Sequence, residues 1–194
     1  MDEGYLLWDE KMQQPGQKIV VVGTSGSGKT TVARTLAVRL GIPYISNDEI
    51  IWGPDWQLKP EADEVRLFDE ATAQPAWTLD GNLNPKSKAD TLMLSRLDTI
   101  IWVNLPRRET LPQLLRRTIR RAWTGEELWH GNRESWRTSF FSHDSIFWFA
   151  IKSHRHVERR YTAMIDDPAY AHVTRIRLRS RQEVNEWLSG VRRA

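Results

Sequence analysis

The stretch that decides the fold lies at residues 23–30 and reads Gly23-Thr24-Ser25-Gly26-Ser27-Gly28-Lys29-Thr30. Its glycines let the backbone wrap around an anion with the N–H groups pointing inward. Lys29 supplies a positive charge for the β- and γ-phosphates of a nucleotide, and the Thr30 hydroxyl is a ligand for Mg²⁺. We therefore predict a P-loop. Its predicted phosphate contacts come from Gly23, Ser25, Gly26, Ser27, Gly28, Lys29, Thr30 and Thr31.

The neighbouring sequence provides the context that a P-loop requires. Residues 18–22 form a short β-branched run, which is typical of a strand buried on both faces. Val32, Leu36 and Leu40 have helical spacing and predict a helix over residues 30–40. The positive N-terminal end of that helix would then point at the bound phosphates.

Strands and helices alternate along the rest of the chain. Further strands are predicted at 43–46, 77–79, 99–104 and 173–178. Further helices are predicted at 61–74, 107–123, 145–165 and 182–188. The 173–178 run alternates arginine with apolar residues, as an edge strand does. Such alternation is typical of an α/β fold with a parallel sheet covered on both faces. We expect one domain over residues 18–194, preceded by a leader of uncertain order at 1–17.

The composition favours a soluble globular protein, because 40% of the residues are hydrophobic and 27% are charged. No apolar run approaches the length of about 18 residues that a membrane span needs. Residues 1–17 lack the build of a signal peptide, so we expect a cytoplasmic location and no membrane partner. The chain has no cysteine and its five histidines show no ligand spacing, so Mg²⁺ carried with the nucleotide is the metal that we predict.

Polar residues follow the second and third predicted strands. They are Asn47-Asp48 and Asp80-Gly81-Asn82. Because ligands bind beyond the carboxyl ends of parallel strands, these residues are site candidates. Asp48 can act as general base toward an acceptor hydroxyl or as a ligand linked to Mg²⁺. The alternative role for Asp48 is to cap the helix that follows the second predicted strand. Asp80 is expected to face the phosphates.

An arginine-rich helix follows the fourth predicted strand. Six arginines and one glutamate lie between Arg107 and Arg121. Arg116 and Arg120 share one helical stripe, and Arg117 and Arg121 share the adjacent one. Four arginines this close repel one another unless anions compensate, so we expect one of them to contact the transferred phosphoryl group. The alternative is a solvated helix face. The candidate catalytic residues are therefore Lys29, Asp48, Arg116, Arg117 and Arg120.

Other sequence features narrow the class of P-loop protein. The chain has no Asn-Lys-x-Asp segment of the kind that reads guanine, and no apolar run that ends in Asp-Glu as ATPase machines prefer. Strand-end acids beside a basic helix suit phosphoryl transfer from ATP to a small acceptor, which needs cationic clamps and exclusion of water. Two alternatives stay open: a nucleotide-dependent regulator or slow ATPase that contacts nucleic acid, and a protein that binds nucleotide without turnover.

Several stretches of the sequence together resemble a known protein family. The stretches that carry the resemblance are the P-loop, Asn-Asp-Glu-Ile-Ile-Trp-Gly-Pro-Asp-Trp, Trp-Thr-Leu-Asp-Gly-Asn, Asp-Thr-Ile-Ile-Trp-Val-Asn-Leu-Pro and Leu-Arg-Ser-Arg-Gln-Glu-Val. They resemble the adenylate-kinase-related proteins, some of which are labelled DNA topology modulation proteins. The resemblance covers residues 18–188. It implies a nucleoside-kinase-like core with strand order 2-3-1-4-5, an acceptor-side segment at 48–75, and a basic helix and lid at 116–143.

The resemblance also suggests roles for single residues. Asp48 falls where related small-molecule kinases carry a carboxylate near Mg²⁺ and the acceptor. Trp52 and Trp56 fall in the acceptor-side region, where core packing and pocket wall are equally open roles. Adenylate kinases have the sequence Asp-Gly-Phe-Pro-Arg at this point. This chain has Asp-Gly-Asn-Leu-Asn-Pro, so the arginine that would hold AMP is missing.

The implied acceptor-side contacts are Asp48, Trp52, Trp56, Asp80 and Asn82. The implied Mg²⁺ contacts are Thr30 and Asp48. Arg133 and Arg137 lie in the lid-like loop. Arg96, ahead of the fourth strand, is better explained as a surface ion pair.

Overall fold

The computed structural model describes residues 13–84, 87–134 and 146–192 of the chain. Its strands are β1 (Lys18–Gly23), β2 (Tyr44–Ser46), β3 (Trp77–Asp80), β4 (Thr99–Val103) and β5 (Thr174–Leu178). They form one parallel sheet in the order β2-β3-β1-β4-β5, which confirms the expected order. In this order β1 is central, and the P-loop that follows it leaves the middle of the sheet.

The burial of the strands explains their sequences. Ile19, Val20, Val21 and Val22 are fully buried, and all five residues of β4 are buried as well. A strand that is covered by helices on both faces needs apolar side chains throughout, which accounts for both continuous runs. β5 lies at the sheet edge and alternates in burial towards its end, so the predicted edge strand is confirmed.

Helices cover both faces of the sheet. Those of the described residues are α1 (Lys29–Leu40), α2 (Asn47–Ile51), α3 (Glu61–Thr72), α4 (Lys88–Leu94), α5 (Arg107–Thr124), α6 (Ile146–Asp166) and α7 (Arg181–Gly190). Two short ones, α2 and α4, are absent from the predicted elements. Each is too short to show a helical repeat, and each begins at a serine cap, where Ser46 accepts from the Glu49 N–H and Ser87 from the Asp90 N–H.

The described part of the predicted leader is attached to the domain. The Gln13 carbonyl accepts a 3.0 Å bond from the indole N–H of Trp187, and the Gln17 N–H donates to Asp98 at 2.9 Å. Residues 1–12 lie outside the described residues. Within the part that is described, no helix is both long and apolar enough to cross a bilayer.

One acid is buried beneath the segment that follows β3. The Asp90 carboxylate is 7% exposed and accepts a 2.5 Å hydrogen bond from the Asn84 N–H. Burial, with a smaller contribution from the charge of Glu64, raises the pKa of Asp90 from 3.8 to about 6. The Asn84 bond and the charge of Arg160 oppose the rise only in part.

This raised pKa gives the first prediction. Between pH 4 and 6 the folded chain keeps a proton that the unfolded chain has released, so the free energy of unfolding falls as pH rises, by up to about 3 kcal/mol. Asp90→Asn keeps an acceptor for Asn84 and removes this ionisation. We expect the variant to gain stability relative to the wild type across that window, measured by denaturant unfolding at several pH values.

The exposed Asp63 on α3 provides the matched control, since it makes only a surface ion pair with Arg66. Asp63→Asn should track the wild type at each pH. Parallel curves for Asp90→Asn and the wild type would contradict the assigned burial cost.

Candidate active site

The P-loop depends on glycine at positions where the backbone has left-handed geometry or lies against another chain segment. Gly26 has φ +81° and Gly28 has φ +90°. A Cβ at Gly26 would lie 2.4 Å from the Thr110 carbonyl oxygen of α5, so the loop packs directly on that helix. A Cβ at Gly23 would lie 2.6 Å from the Val103 carbonyl oxygen. A side chain at either position would push the loop away from its neighbours.

The end of the loop forms an anion site. Helix α1 begins at Lys29, and its first described intrahelical bond runs from the Val32 N–H to the Gly28 carbonyl. The N–H groups before Val32 therefore have no partner within the helix. A Cβ at Gly28 would meet nothing within 4 Å, and the buried Ser27 hydroxyl has no hydrogen-bond partner. An open cradle, free N–H groups and the positive helix end fit the phosphates of a nucleotide.

The P-loop residues that the sequence predicts as phosphate contacts differ in how far they are exposed. Lys29 and Thr30 are partly buried at the first turn of α1, and Ser25 is partly buried in the loop. Thr31 is exposed one residue further on.

Asn82 holds the start of the loop. Its side-chain Oδ1 accepts from the Gly23 N–H at 3.1 Å, and its Nδ2 donates to the Gly23 carbonyl at 2.9 Å. The buried Tyr161 hydroxyl donates to the same Oδ1 at 3.2 Å and accepts from the Leu83 N–H at 3.0 Å. Most of the bonding capacity of the Asn82 amide is therefore used within the protein, a supporting role that the sequence did not indicate. Its predicted contact with the acceptor stays a prediction.

Gly81 brings the ends of β2 and β3 together. A Cβ at Gly81 would lie 2.2 Å from the Cβ of Asn47, the first residue of α2, so only glycine allows this approach. Asp48 and Asp80 thereby lie at one edge of the sheet, close enough for the charge of Asp80 to raise the pKa of Asp48.

Asp48 lies among charged groups. Burial raises the pKa of its carboxyl, and the nearby Asp80 adds to the rise, while Lys29, Arg117 and Arg121 oppose it. The helix-cap alternative for Asp48 is wrong, because Ser46 is the residue that caps α2. Its carboxylate is therefore not needed to begin that helix.

Asp80 keeps one carboxylate oxygen without a partner. The side chain is 8% exposed, its Oδ2 accepts a 3.4 Å bond from the Tyr44 hydroxyl, and its buried Oδ1 has no partner. A buried carboxylate oxygen without a donor is a favourable ligand for a cation. This observation fits a Mg²⁺ ion that arrives with a nucleotide, together with the Thr30 hydroxyl.

The two arginine stripes of α5 have different surroundings. Arg116 and Arg120 are exposed, and Arg120 forms a 2.9 Å ion pair with Glu126. Arg117 and Arg121 are partly buried, and both act on the charge of Asp48. The stripe that faces the site is therefore the second one.

Within that stripe Arg121 is neutralised and Arg117 is not. Arg121 lies 2.9 Å from Glu134 and 3.5 Å from Glu126. Arg117 forms no ion pair among the described residues, and its buried Nε has no hydrogen-bond partner. Burial lowers the pKa of the Arg117 guanidinium, and the neighbouring Arg121 lowers it further. The charges of Glu134, Asp48 and Asp80 oppose this shift, but none of these carboxylates forms a direct ion pair with Arg117 within the described chain. A buried cation without a directly paired carboxylate favours the binding of an anion.

Trp52 and Trp56, the tryptophans predicted to lie on the acceptor side, pack against each other, and Trp56 also contacts residues 132 and 133. The rings of Trp52 and Trp56 are 5.7 Å apart and nearly perpendicular. The Trp56 N–H donates to Asn132 at 2.9 Å, and its indole N–H donates to the Arg133 carbonyl at 3.3 Å. Asn132 carries no motif signal, so its role was not predicted. Arg137 lies outside the described residues.

Arg96 is not part of the site. Its guanidinium forms a 2.6 Å ion pair with Asp69 and donates to the Thr72 hydroxyl at 2.9 Å. The expected surface ion pair is confirmed.

The comparisons with known proteins agree with this architecture. No family model matches the chain. Adenylate kinase 9 of Mus musculus is 27% identical over 134 residues, which are 62% of this chain and 7% of that protein. Shikimate kinase of Paracidovorax citrulli (strain AAC00-1) is 50% identical over 40 residues, 21% of this chain and 22% of that enzyme. The chain thus spans a small part of the curated relatives it matches.

Solved structures match over almost the whole chain. A gluconokinase from Sinorhizobium meliloti 1021 has a TM-score of 0.50 and 16% identity, covering 92% of this chain and 93% of its own. Shikimate kinase from Acinetobacter baumannii, solved with shikimate, has a TM-score of 0.53 and 17% identity, covering 92% and 90%. The sequence matches confirm the resemblance to the adenylate-kinase-related P-loop kinases that the motifs predict, and the solved structures share the predicted fold.

Proposed function

We propose that the chain transfers the γ-phosphoryl group of ATP to a hydroxyl of a small acceptor. The observation that carries this proposal is the grouping of Asp48, Lys29 and Arg117 beside the phosphate cradle. A carboxylate that can accept a proton lies there with one cation on the P-loop and a second cation on α5 that forms no ion pair with any described residue. Phosphoryl transfer needs these two kinds of group on the same reacting centre.

On the donor side, the P-loop N–H groups and Lys29 would hold the phosphates of ATP. The Thr30 hydroxyl, with the unpartnered Asp80 oxygen beside it, would hold Mg²⁺, and Asp48 would be linked to the ion through one of its bound waters. When bound, that ion supplies positive charge to the β- and γ-phosphate oxygens.

On the acceptor side, Asp48 would take the hydroxyl proton as the acceptor oxygen attacks the γ-phosphorus. The bond from that phosphorus to the bridging oxygen then breaks, and ADP leaves. The raised pKa of Asp48 supports this role, because a base is most useful when its pKa lies near the working pH. Arg117 would stabilise the charge on the transferring phosphoryl oxygens.

A small acceptor is supported by the enclosure of the site. Residues 52–59 and 127–134 contact each other beside Asp48, so two chain segments form a wall on that side of the site. The structural neighbours are named for hydroxylated acids, gluconate and shikimate, and we extend that chemical class to this chain.

A second candidate function rests on the outer face of α5. Arg116, Arg120 and Trp123 are exposed there, and Trp123 is 81% exposed. Basic and aromatic side chains on one face are groups that contact nucleic acid. Salt-sensitive DNA binding that survives saturating ATP would favour this regulator or slow ATPase. Competition between ATP and DNA would favour the kinase.

The proposed reaction predicts acceptor-dependent release of ADP. We expect purified protein with Mg²⁺–ATP to form ADP faster with one member of a panel of sugars, sugar acids and other hydroxylated metabolites. Lys29→Ala should abolish both nucleotide binding and turnover, because it removes the cradle's cation. Tight ATP binding with no acceptor-dependent ADP across a broad panel would contradict the kinase.

Asp48→Asn provides a prediction with two opposite effects. Turnover should fall about 10²- to 10⁴-fold, because the proton acceptor is lost. The wild-type rate should decline as pH falls through the pKa of Asp48, at a pH above the ordinary range of an aspartate near 4. Stability should move the other way: the raised pKa costs the wild type stability as pH rises, so the variant is the more stable one near neutral pH.

Asp55→Asn is the matched control, since Asp55 is exposed in the adjoining loop and asparagine tolerates its positive φ. It should change neither the rate nor the pH profile. An Asp48→Asn variant with wild-type turnover would exclude Asp48 as the base.

The surroundings of the α5 arginines predict which of them contacts the transferring phosphoryl group. Arg117→Met should lower the turnover number about 10³-fold with little change in ATP affinity, because its charge acts on the transferring group. Arg108→Met, on the exposed face of the same helix, should leave both values unchanged. A loss confined to Arg116→Met would place the phosphoryl contact on the outer stripe and contradict the assignment.

A further inference from the structure

Two loops that are far apart in the sequence interlock beside Asp48. The first, residues 52–59, is closed by a 2.7 Å bond from the Gly53 N–H to the Gln57 carbonyl. The second, residues 127–133, is closed by a 2.7 Å bond from the Leu128 N–H to the Asn132 carbonyl. Each loop is therefore a compact turn of its own, and the contacts between them join two separate units.

Asn132 makes the central contact between these loops. Its Oδ1 accepts from the Trp56 N–H at 2.9 Å, and its Nδ2 donates to the Gly53 carbonyl at 2.8 Å. The residue is 4% exposed. Both halves of one buried amide thus satisfy the backbone of the acceptor-side loop, a geometry that alanine or leucine cannot reproduce.

The interlocked loops contain unusual backbone. Asp55, Trp56 and His130 all have φ near +56°, and they are the non-glycine residues with positive φ among those that the structure describes. Such conformations persist only where the surroundings enforce them, and they concentrate at functional sites. The strain is divided between both loops, so each loop helps to hold the other in its unusual shape.

Both loops also contact the helix that carries Asp48, the first through Lys59 and the second through His130. The Lys59 ammonium donates to the Glu49 and Ile50 carbonyls of α2, each at 2.9 Å, and lies 3.2 Å from the His130 ring. The His130 Nε2 is 2.9 Å from the Glu49 carbonyl. Residues from both loops therefore contact the backbone of Glu49, which directly follows Asp48.

On its other side the same segment is fixed to α5. The Glu134 side chain is almost fully buried and accepts a 2.9 Å bond from Arg121. Arg121 lies one helical turn from Arg117 and shares its stripe. Residues 132–134 therefore connect the acceptor-side tryptophans to the helix that carries the unpaired arginine, and we call them the strap.

We infer that Asn132 is a positioning residue that sets acceptor specificity by holding the acceptor-side loop, with Trp52 and Trp56, at a fixed distance from Arg117. The inference rests on the proposed function for its catalytic meaning, and on the contacts above for its geometry. Because the strap joins both walls, the space beside Asp48 has a fixed width, and the strap limits the size of acceptor that can enter. Asn132 acts on the acceptor through the loop that it holds.

The test is hydrogen exchange of the full-length protein, which needs neither an acceptor nor turnover. In Asn132→Ala, peptides covering residues 49–59 and 127–134 should both exchange about tenfold faster, while peptides of β1 and β4 keep their wild-type rates. Asn132→Asp keeps an acceptor for the Trp56 N–H and loses the donor to Gly53, so it should show a smaller increase. It also tests the same contact should the alanine variant not fold.

Glu127→Ala is the matched control in the same loop. The change removes an exposed ion pair with Arg133 and leaves the described contacts with the acceptor-side loop in place. Exchange over residues 49–59 should therefore not change. If Asn132→Ala loosens 127–134 alone, or loosens the sheet equally, the inference is overturned. Because exchange is read without catalysis, a missing kinase activity would leave this result intact.

A kinetic readout separates positioning from general loss of structure. With any acceptor that the metabolite panel identifies, Asn132→Ala should raise the acceptor KM about tenfold and leave the ATP KM unchanged. It should also admit larger acceptors that the wild type rejects. An equal loss with every acceptor and with ATP would show a structural role only.

Discussion

The side-chain amide of Asn82 bonds both the N–H and the carbonyl of Gly23, and the geometry of the whole site depends on this pair of bonds. It joins the end of β3 to the end of β1 at the point where the P-loop begins. Tyr161 of α6 fixes the amide in turn. Since Gly81 lies between Asp80 and Asn82, the same few residues set the loop, the close approach of α2 and the direction of the Asp80 carboxylate.

A second constraint is electrostatic. Arg117 and Arg121 lie one turn apart on the partly buried stripe of α5, yet among the residues that the structure describes only Arg121 forms direct ion pairs. If both were neutralised, the helix would offer the site no charge, and if neither were, their repulsion would disfavour the packing of α5 against the P-loop. Glu134 thus allows one arginine to stay unpaired beside Asp48, where an incoming anion can compensate it.

Local patterns were enough to predict the fold, the P-loop and the acids that the structure brings together at the strand ends. The P-loop, the apolar strands and the acids at strand ends each depend on a few adjacent residues, and parallel strands bring their ends together wherever they occur. The contacts of Asn82 with Gly23 and of Asn132 with Gly53 could not be read in this way, because they link positions 59 and 79 residues apart and any asparagine could make them. The difference between Arg116 and Arg117 likewise depends on which stripe of α5 faces Asp48 in the folded chain, and α2 and α4 are too short to show a period.

The long sequence separation across the strap has a consequence for folding. Bringing Asn132 to Gly53 and Trp56 closes a loop of more than 70 residues, which costs conformational entropy. Two side-chain hydrogen bonds cannot offset that cost until α1, β3 and β4 have already brought the ends of the loop together. The strap therefore forms late and opens early, as a small cooperative unit at the low end of the stability range. A protein with this order of assembly can complete the sheet and the P-loop first, and the strap then fixes the spacing between the two walls beside Asp48.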